Sequence, residues 1–370
     1  MNATTTDSWL NSSLISTTIK PVLEPSYTSY IEYKISKDVY KYVAPTIVFM
    51  GLAGNLLTIC VLLKKNVGKA STSYLLVALA LADSFVLITG LMRYWIREIT
   101  QPSVDLRTLS PFSCKLHLFL VYYMMQFAIW ILVLVTIERF ISVAFPLKAK
   151  WLCSPPRMLA ALGVMGTFLF ALNSHIFYGK YGYYSGGRVR CAHLNEEYKL
   201  FWNETWVWID LCVMSVVPFL TILFCNVVII VKVRLSSRHK MMMRRSTERD
   251  SATATKITNM TAMLLTVNFV FLITSLPASI YLAGWTNAPY TSNHNIAARI
   301  LAFASVNTLS YVNNAANFLL YCVSGPRFRA QFLAMIGKKS ARIYPTSQTM
   351  EDPDTRATTV PPNNTAESIA

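Results

Sequence analysis

The chain has 370 residues, of which 54% are hydrophobic and only 14% charged, with a mean hydropathy of +0.40. That balance excludes a water-soluble globular protein of this length and points to repeated membrane crossing. The net charge of +16 would suit nucleic acid, but the basic residues gather in particular loops, so no nucleic-acid partner is expected.

Residues 1–41 hold four Lys and four acids. Asn2-Ala3-Thr4 and Asn11-Ser12-Ser13 are acceptor sequons that only a lumenal segment can use, so this tail is expected outside the cell, glycosylated at Asn2 and Asn11, and flexible. It opens polar, with no short apolar region and cleavage site. No removable signal peptide is read, and the first span is expected to direct insertion.

Seven apolar runs follow, roughly Tyr42 to Leu63, Tyr74 to Ile96, Phe112 to Phe145, Met158 to Tyr178, Trp206 to Val231, Met260 to Gly284 and Ala297 to Val323. Each is long enough for a spanning helix of about 20 residues. Lys64, Lys65 and Lys69 follow the first run, and Lys148, Lys150 and Arg157 the third. Eight Lys or Arg lie between Lys232 and Lys256 against Glu248 and Asp250. By the positive-inside rule these loops are cytoplasmic, with the amino terminus outside and the carboxyl terminus inside. Asn203-Glu204-Thr205, read as loop before the fifth run, is a further glycosylation candidate. Cys60, Cys212, Cys225 and Cys322 lie in apolar runs and read as small buried hydrophobes. Cys153 is cytoplasmic. Cys114 and Cys191 alone fall in an oxidising compartment, where a disulfide would pin the loop before the fifth run over the bundle mouth; two unpaired thiols are the alternative.

Arg139 lies 25 residues after Cys114, about 37 Å along a helix, so the two mark opposite membrane faces. Asn55, Asp83, Asn313, Asn314 and Asn317 are polar groups in apolar helices and need partners inside the bundle, where one network would satisfy them. Pro218 and Pro277 remove backbone hydrogen bonds in mid-helix and are expected to kink it. After the seventh run, Gly325-Pro326 stops the helix, and Arg327, Phe328, Arg329 and Phe332 suit a short amphipathic helix on the inner leaflet. The expected fold is an all-α membrane protein: a seven-transmembrane helix bundle with that short helix over 42–332, then a largely disordered cytoplasmic tail over 333–370.

Several motifs recur in order: Gly54-Asn55, Leu79-Ala80-Leu81-Ala82-Asp83, Glu138-Arg139-Phe140, Pro218, Phe271 with Pro277, and Asn317-Phe318-Leu319-Leu320-Tyr321. Together with the seven spans and the Cys114 and Cys191 pair, this set resembles the rhodopsin-like (class A) G-protein-coupled receptor family. The resemblance implies an activation network around Asp83, where many members hold a sodium ion; Ala128 stands where a coordinating serine is common. No cofactor is expected. It also implies that Glu138 holds Arg139 at rest, that Arg139 meets the G protein when the sixth helix swings outward, and that Tyr321 stabilises the open form. Arrestin and receptor kinases are implied partners. Phe140 replaces the commoner Tyr. Ser275 stands where the family usually has a tryptophan, Phe318 replaces a proline, Asn226 replaces a tyrosine, and the fourth helix lacks its usual Trp and Pro.

Val121 stands where amine receptors keep an aspartate, which disfavours amines, and Tyr311 stands where opsins keep the retinal lysine, which excludes an opsin. The expected ligand pocket lies within the bundle, at Arg93, Tyr94, Trp95, His117, Val121, Tyr122, Asp210, Tyr281, Asn307 and Tyr311. Arg93 and Asp210 either pair with each other or read opposite ends of a ligand. The text from Glu138 to Val143, followed by Phe145-Pro146-Leu147-Lys148-Ala149, resembles neuropeptide receptors, particularly the FMRFamide-like receptors of invertebrates, and implies a peptide agonist. A chemosensory receptor for a small molecule is the alternative within the family. A transporter or channel is the alternative outside it, without the inverted repeats or pore-lining charge that either needs. No nucleophile or metal-ligand motif suggests an enzyme.

Overall fold

The computed structural model describes residues 25–64, 71–100, 105–179, 181–242, 266–267, 269–282, 284 and 289–337. Asn2, Asn11 and the tail from residue 338 lie outside these. The chain forms a seven-helix bundle: α1 (Ile31–Leu62), α2 (Ser71–Ile99), α3 (Pro111–Ala144), α4 (Pro155–Tyr178), α5 (Glu196–Leu235), α6 (described over Phe269–Leu282) and α7 (Asn293–Ser324). Helix α8 (Pro326–Met335) follows at the break made by Gly325 and Pro326. The first five are long and apolar enough to cross a membrane.

Local chemistry sets the ends of α3. Ser110 accepts from the Ser113 N–H at 2.9 Å while Ser113 Oγ accepts from the Ser110 N–H at 2.8 Å, and Pro111 takes the first turn, where its missing N–H costs nothing. Helix α5 widens into π turns at Phe201–Trp206 and Cys212–Val216, the second just before Pro218. A wide turn of this kind absorbs the hydrogen bond that proline cannot make.

Apolar side chains point both inward and outward. Leu75, Leu79, Ile131, Val135, Ile222, Phe271 and Tyr321 pack a core at the Arg139 end, whereas Phe49, Phe85, Val164, Phe168 and Phe224 are exposed. An outer belt of this kind belongs in lipid. Cys60 and Cys212, expected inside, are exposed in that belt because apolar runs in a membrane carry no preference for the interior.

The segment read as a loop between the fourth and fifth runs contains a hairpin, β1 (Tyr181–Ser185) with β2 (Arg188–His193), paired antiparallel with Tyr183 opposite Arg190. Gly186 and Gly187 turn it with φ of 57° and 74°, the left-handed pair that matches strand twist. Cys191 on β2 is disulfide-bonded to Cys114 on α3, with Cα atoms 5.7 Å apart. Gly182 (φ 74°) lets β1 lie against this bond, since a Cβ there would sit 3.2 Å from the Cys114 sulfur. Asn203, expected in a loop, is half-buried in the first wide turn of α5, where a bulky glycan fits poorly.

Candidate functional site

At the hairpin end a cavity of about 210 Å³ opens between α2, α3, α5, α6 and α7. Arg93, Tyr94, His117, Val121, Tyr122, Asp210, Asn307 and Tyr311 line it, with Ser275 and Asn313 deeper in. The bulk of Tyr311 is admitted by Gly90, where any Cβ would collide with the tyrosine ring. Asn307 donates from Nδ2 to Tyr40 Oη at 3.3 Å, and Tyr40 stacks on Tyr94 with centroids 4.5 Å apart.

Trp95 and Tyr281 do not line the cavity. Successive helical residues turn by about 100°, so Arg93, Tyr94 and Trp95 cannot all face one way; Trp95 turns to α1, edge-on to Phe49 at 5.6 Å. On α6 the inward row is Ser275, Ala278, Ser279 and Leu282, which leaves Tyr281 toward α7, donating to the Arg299 carbonyl at 2.9 Å.

Of the two alternatives for Arg93 and Asp210, direct pairing is not formed. Arg93 Nε instead lies 3.2 Å from Asp105 Oδ1, and Arg107 Nη2 lies 2.9 Å from Asp105 Oδ2. Burial alone would raise the Asp105 carboxyl, but the Arg107 hydrogen bonds and the Arg93 charge hold it well below the usual carboxylate range. Two guanidinium groups share one carboxylate, so this end of the cavity keeps a net positive charge. Asp210 Oδ1 accepts from Gln126 Nε2 at 2.9 Å, and Gln126 Oε1 accepts from Asn173 Nδ2 at 2.7 Å. Arg107, Gln126 and Asn173 were not singled out in the sequence. Gln126 and Asn173 carried the signal already used for Asp83, a polar side chain within an apolar run; Arg107 carried none.

In the middle of the bundle, Asp83 accepts from Asn314 Nδ2 at 2.7 Å and from Asn317 Nδ2 at 2.6 Å, and Asn55 Nδ2 donates to the Asn314 carbonyl at 3.2 Å. Asn313 faces the cavity instead of joining Asp83 directly. Both Asp83 oxygens accept from amides, and buried Ala128 offers no side-chain oxygen.

At the opposite end, Glu138 accepts from Ser71 Oγ and, at 2.7 Å, from Thr72 Oγ1. Arg139 Nη2 donates to the same Thr72 hydroxyl. The expected direct Glu138–Arg139 clasp is thus replaced by a link through α2: adjacent residues point about 100° apart on a helix, and Thr72 bonds both. Phe140 packs near Phe145 and Phe224, at 6.0 and 6.1 Å. Tyr321 is buried with its ring 5.6 Å from Phe328 of α8, and Phe318 meets Phe332 at 5.2 Å. Phe271 is buried beneath the cavity, between it and this end, while Pro277 lies within α6 six residues, nearly two turns, above.

The family model described as 7 transmembrane receptor (rhodopsin family) matches residues 54–321. An FMRFamide receptor of Drosophila melanogaster is 25% identical over 301 residues, covering 78% of this chain and 52% of that receptor. A probable G-protein coupled receptor of Caenorhabditis elegans is 25% identical over 309 residues, covering 80% of this chain and 68% of that protein. Somatostatin receptor type 1 of Rattus norvegicus is 24% identical over 303 residues, covering 79% and 70%. The chain thus spans about half the length of the fly receptor and about two thirds of the other two.

Proposed function

The chain belongs to the rhodopsin family of seven-transmembrane receptors, multi-pass proteins of the plasma membrane, and from that premise we propose that it binds a short extracellular peptide and activates a heterotrimeric G protein. The hairpin end faces outward with the tail over 1–41, which carries glycans at Asn2 and Asn11. The Arg139 end and the tail over 333–370 face the cytoplasm, where arrestin and receptor kinases act on the open form. The bundle over 42–332 carries both sites and performs no covalent chemistry.

The observation that carries this reading is the arrangement at Glu138, Arg139, Ser71 and Thr72. A guanidinium and a carboxylate at one end of a long helix are each held by hydroxyls of a neighbouring helix, and separating those helices would free both. Between that end and the cavity stand the Asp83, Asn314 and Asn317 bonds and buried Phe271, a packed path that an agonist can bias only by binding the open state more tightly than the closed one. Pro277 gives α6 a place to bend. A peptide suits the cavity better than a small amine: Val121 offers no carboxylate on α3, and the positive mouth and Asp210 present charges of opposite sign. The names of the fly and rat relatives support the same ligand class.

The test is calcium and cyclic-AMP signalling in cells expressing the chain, challenged with amidated peptides and small amines. A peptide response that vanishes in surface-expressed Arg139→Ala is expected. An equal response in that variant would remove the coupling role.

A further inference from the structure

Building on the receptor reading, we propose that a second, smaller cavity beside Asp210 is the subsite for an organic cation, a guanidinium or alkylammonium group carried by the ligand. This cavity, about 80 Å³, shares Tyr122, Asp210, Ser279 and Leu282 with the larger one. Its other walls include Trp202 and Trp206 of α5. The Tyr122 ring centroid lies 5.5 Å from that of Trp202 and 6.0 Å from that of Trp206, and the two indoles are 6.1 Å apart. Aromatic faces attract organic cations through their quadrupole, most strongly where water is excluded.

Asp210 completes the cage. Its carboxylate is oriented by Gln126, which is itself fully buried and fixed by the fully buried Asn173. An amide donor aims a carboxylate without cancelling its charge. Among the described residues no Lys, Arg or His forms an ion pair with Asp210, and Arg93 is occupied by Asp105. A neutral ligand group here would leave a carboxylate unpaired in the membrane, whereas a cation would meet both charge and π faces. The positive pair Arg93 and Arg107 at the mouth repels a cation left there and so fixes the direction in which a dipolar ligand lies.

Leu282 lines both cavities and provides a reporter that needs no identified agonist. In full-length receptor in membranes, with Cys60 and Cys212 changed to Ser, Leu282→Cys is treated with a cationic and an anionic methanethiosulfonate. The cationic reagent should react about tenfold faster, the ratio that one further charge contact gives. Arginine amide should slow that reaction and citrulline amide should not. Asp210→Asn should abolish the preference, Asp210→Glu should keep it, and Trp206→Leu should weaken the protection severalfold. Equal rates, a preference untouched by Asp210→Asn, or no protection by arginine amide would overturn the subsite. Peptide-evoked signalling of the receptor that keeps Leu282, with only Cys60 and Cys212 changed, is read in parallel, so a failed subsite with intact signalling rejects this inference alone.

Discussion

The two ends of the bundle treat charge in opposite ways. At the Arg139 end, both charged side chains are tied to hydroxyls of α2, Glu138 by Ser71 and Thr72 and Arg139 by Thr72. At the hairpin end, Asp210 is aimed by Gln126 with no cation bound to it, and Arg93 and Arg107 divide a single carboxylate. A charge satisfied by the fold itself acts as a latch. One that is held in place but not neutralised leaves interaction energy for a partner from outside, and on this reading the molecule is latched at one end and receptive at the other.

That contrast can be broken at several points. The largest effect is expected from Cys114→Ser, which releases the hairpin from α3: losing a native disulfide costs about 2–5 kcal/mol, so agonist binding should fall by more than about tenfold. Saturation binding on surface receptor measures this, and unchanged affinity would detach the hairpin from the receptive end. Next comes Gln126→Leu, which strips Asp210 and Asn173 of their shared partner. Leaving buried polar groups unsatisfied costs about 1–3 kcal/mol each, so agonists carrying a cation should lose about tenfold in potency while neutral analogues hardly change. Equal losses for both would make Gln126 a packing residue only. Thr72→Ala should act in the other direction, loosening the latch by about 1 kcal/mol and raising agonist-free signalling about fivefold; a lower basal signal would contradict it. The smallest effect belongs to Trp95→Leu, since Trp95 faces α1: agonist potency should shift by less than about twofold, and a large shift would return it to the pocket.

Much of this layout was legible in the sequence. Long apolar runs and loop charges gave the bundle, and the compartment of each cysteine gave Cys114 and Cys191. Asp83 and its asparagines were legible because a polar group in an apolar helix needs a partner. What stayed hidden depends on rotation and on pairing across space. Trp95 and Tyr281 are aromatic and near the cavity, but the π turn at Leu87–Leu91 and the inward row of α6 decide which way each faces. Asp105 lies in a short polar loop, and its capture of Arg93 needs that loop folded over α2. The hairpin was hard to read because only Arg188-Val189-Arg190-Cys191 alternates, over too few residues, while Tyr181 to Ser185 does not, and its register comes from Gly186-Gly187 and the disulfide.

In the proposed function, the G protein reads the breaking of the latch at Arg139. Nucleotide exchange on purified heterotrimeric G protein should be followed with wild-type receptor, Thr72→Ala and Arg139→Ala in lipid nanodiscs. The proposed coupling requires raised agonist-free exchange for Thr72→Ala and exchange at the receptor-free rate for Arg139→Ala. Wild-type exchange from Arg139→Ala would contradict it.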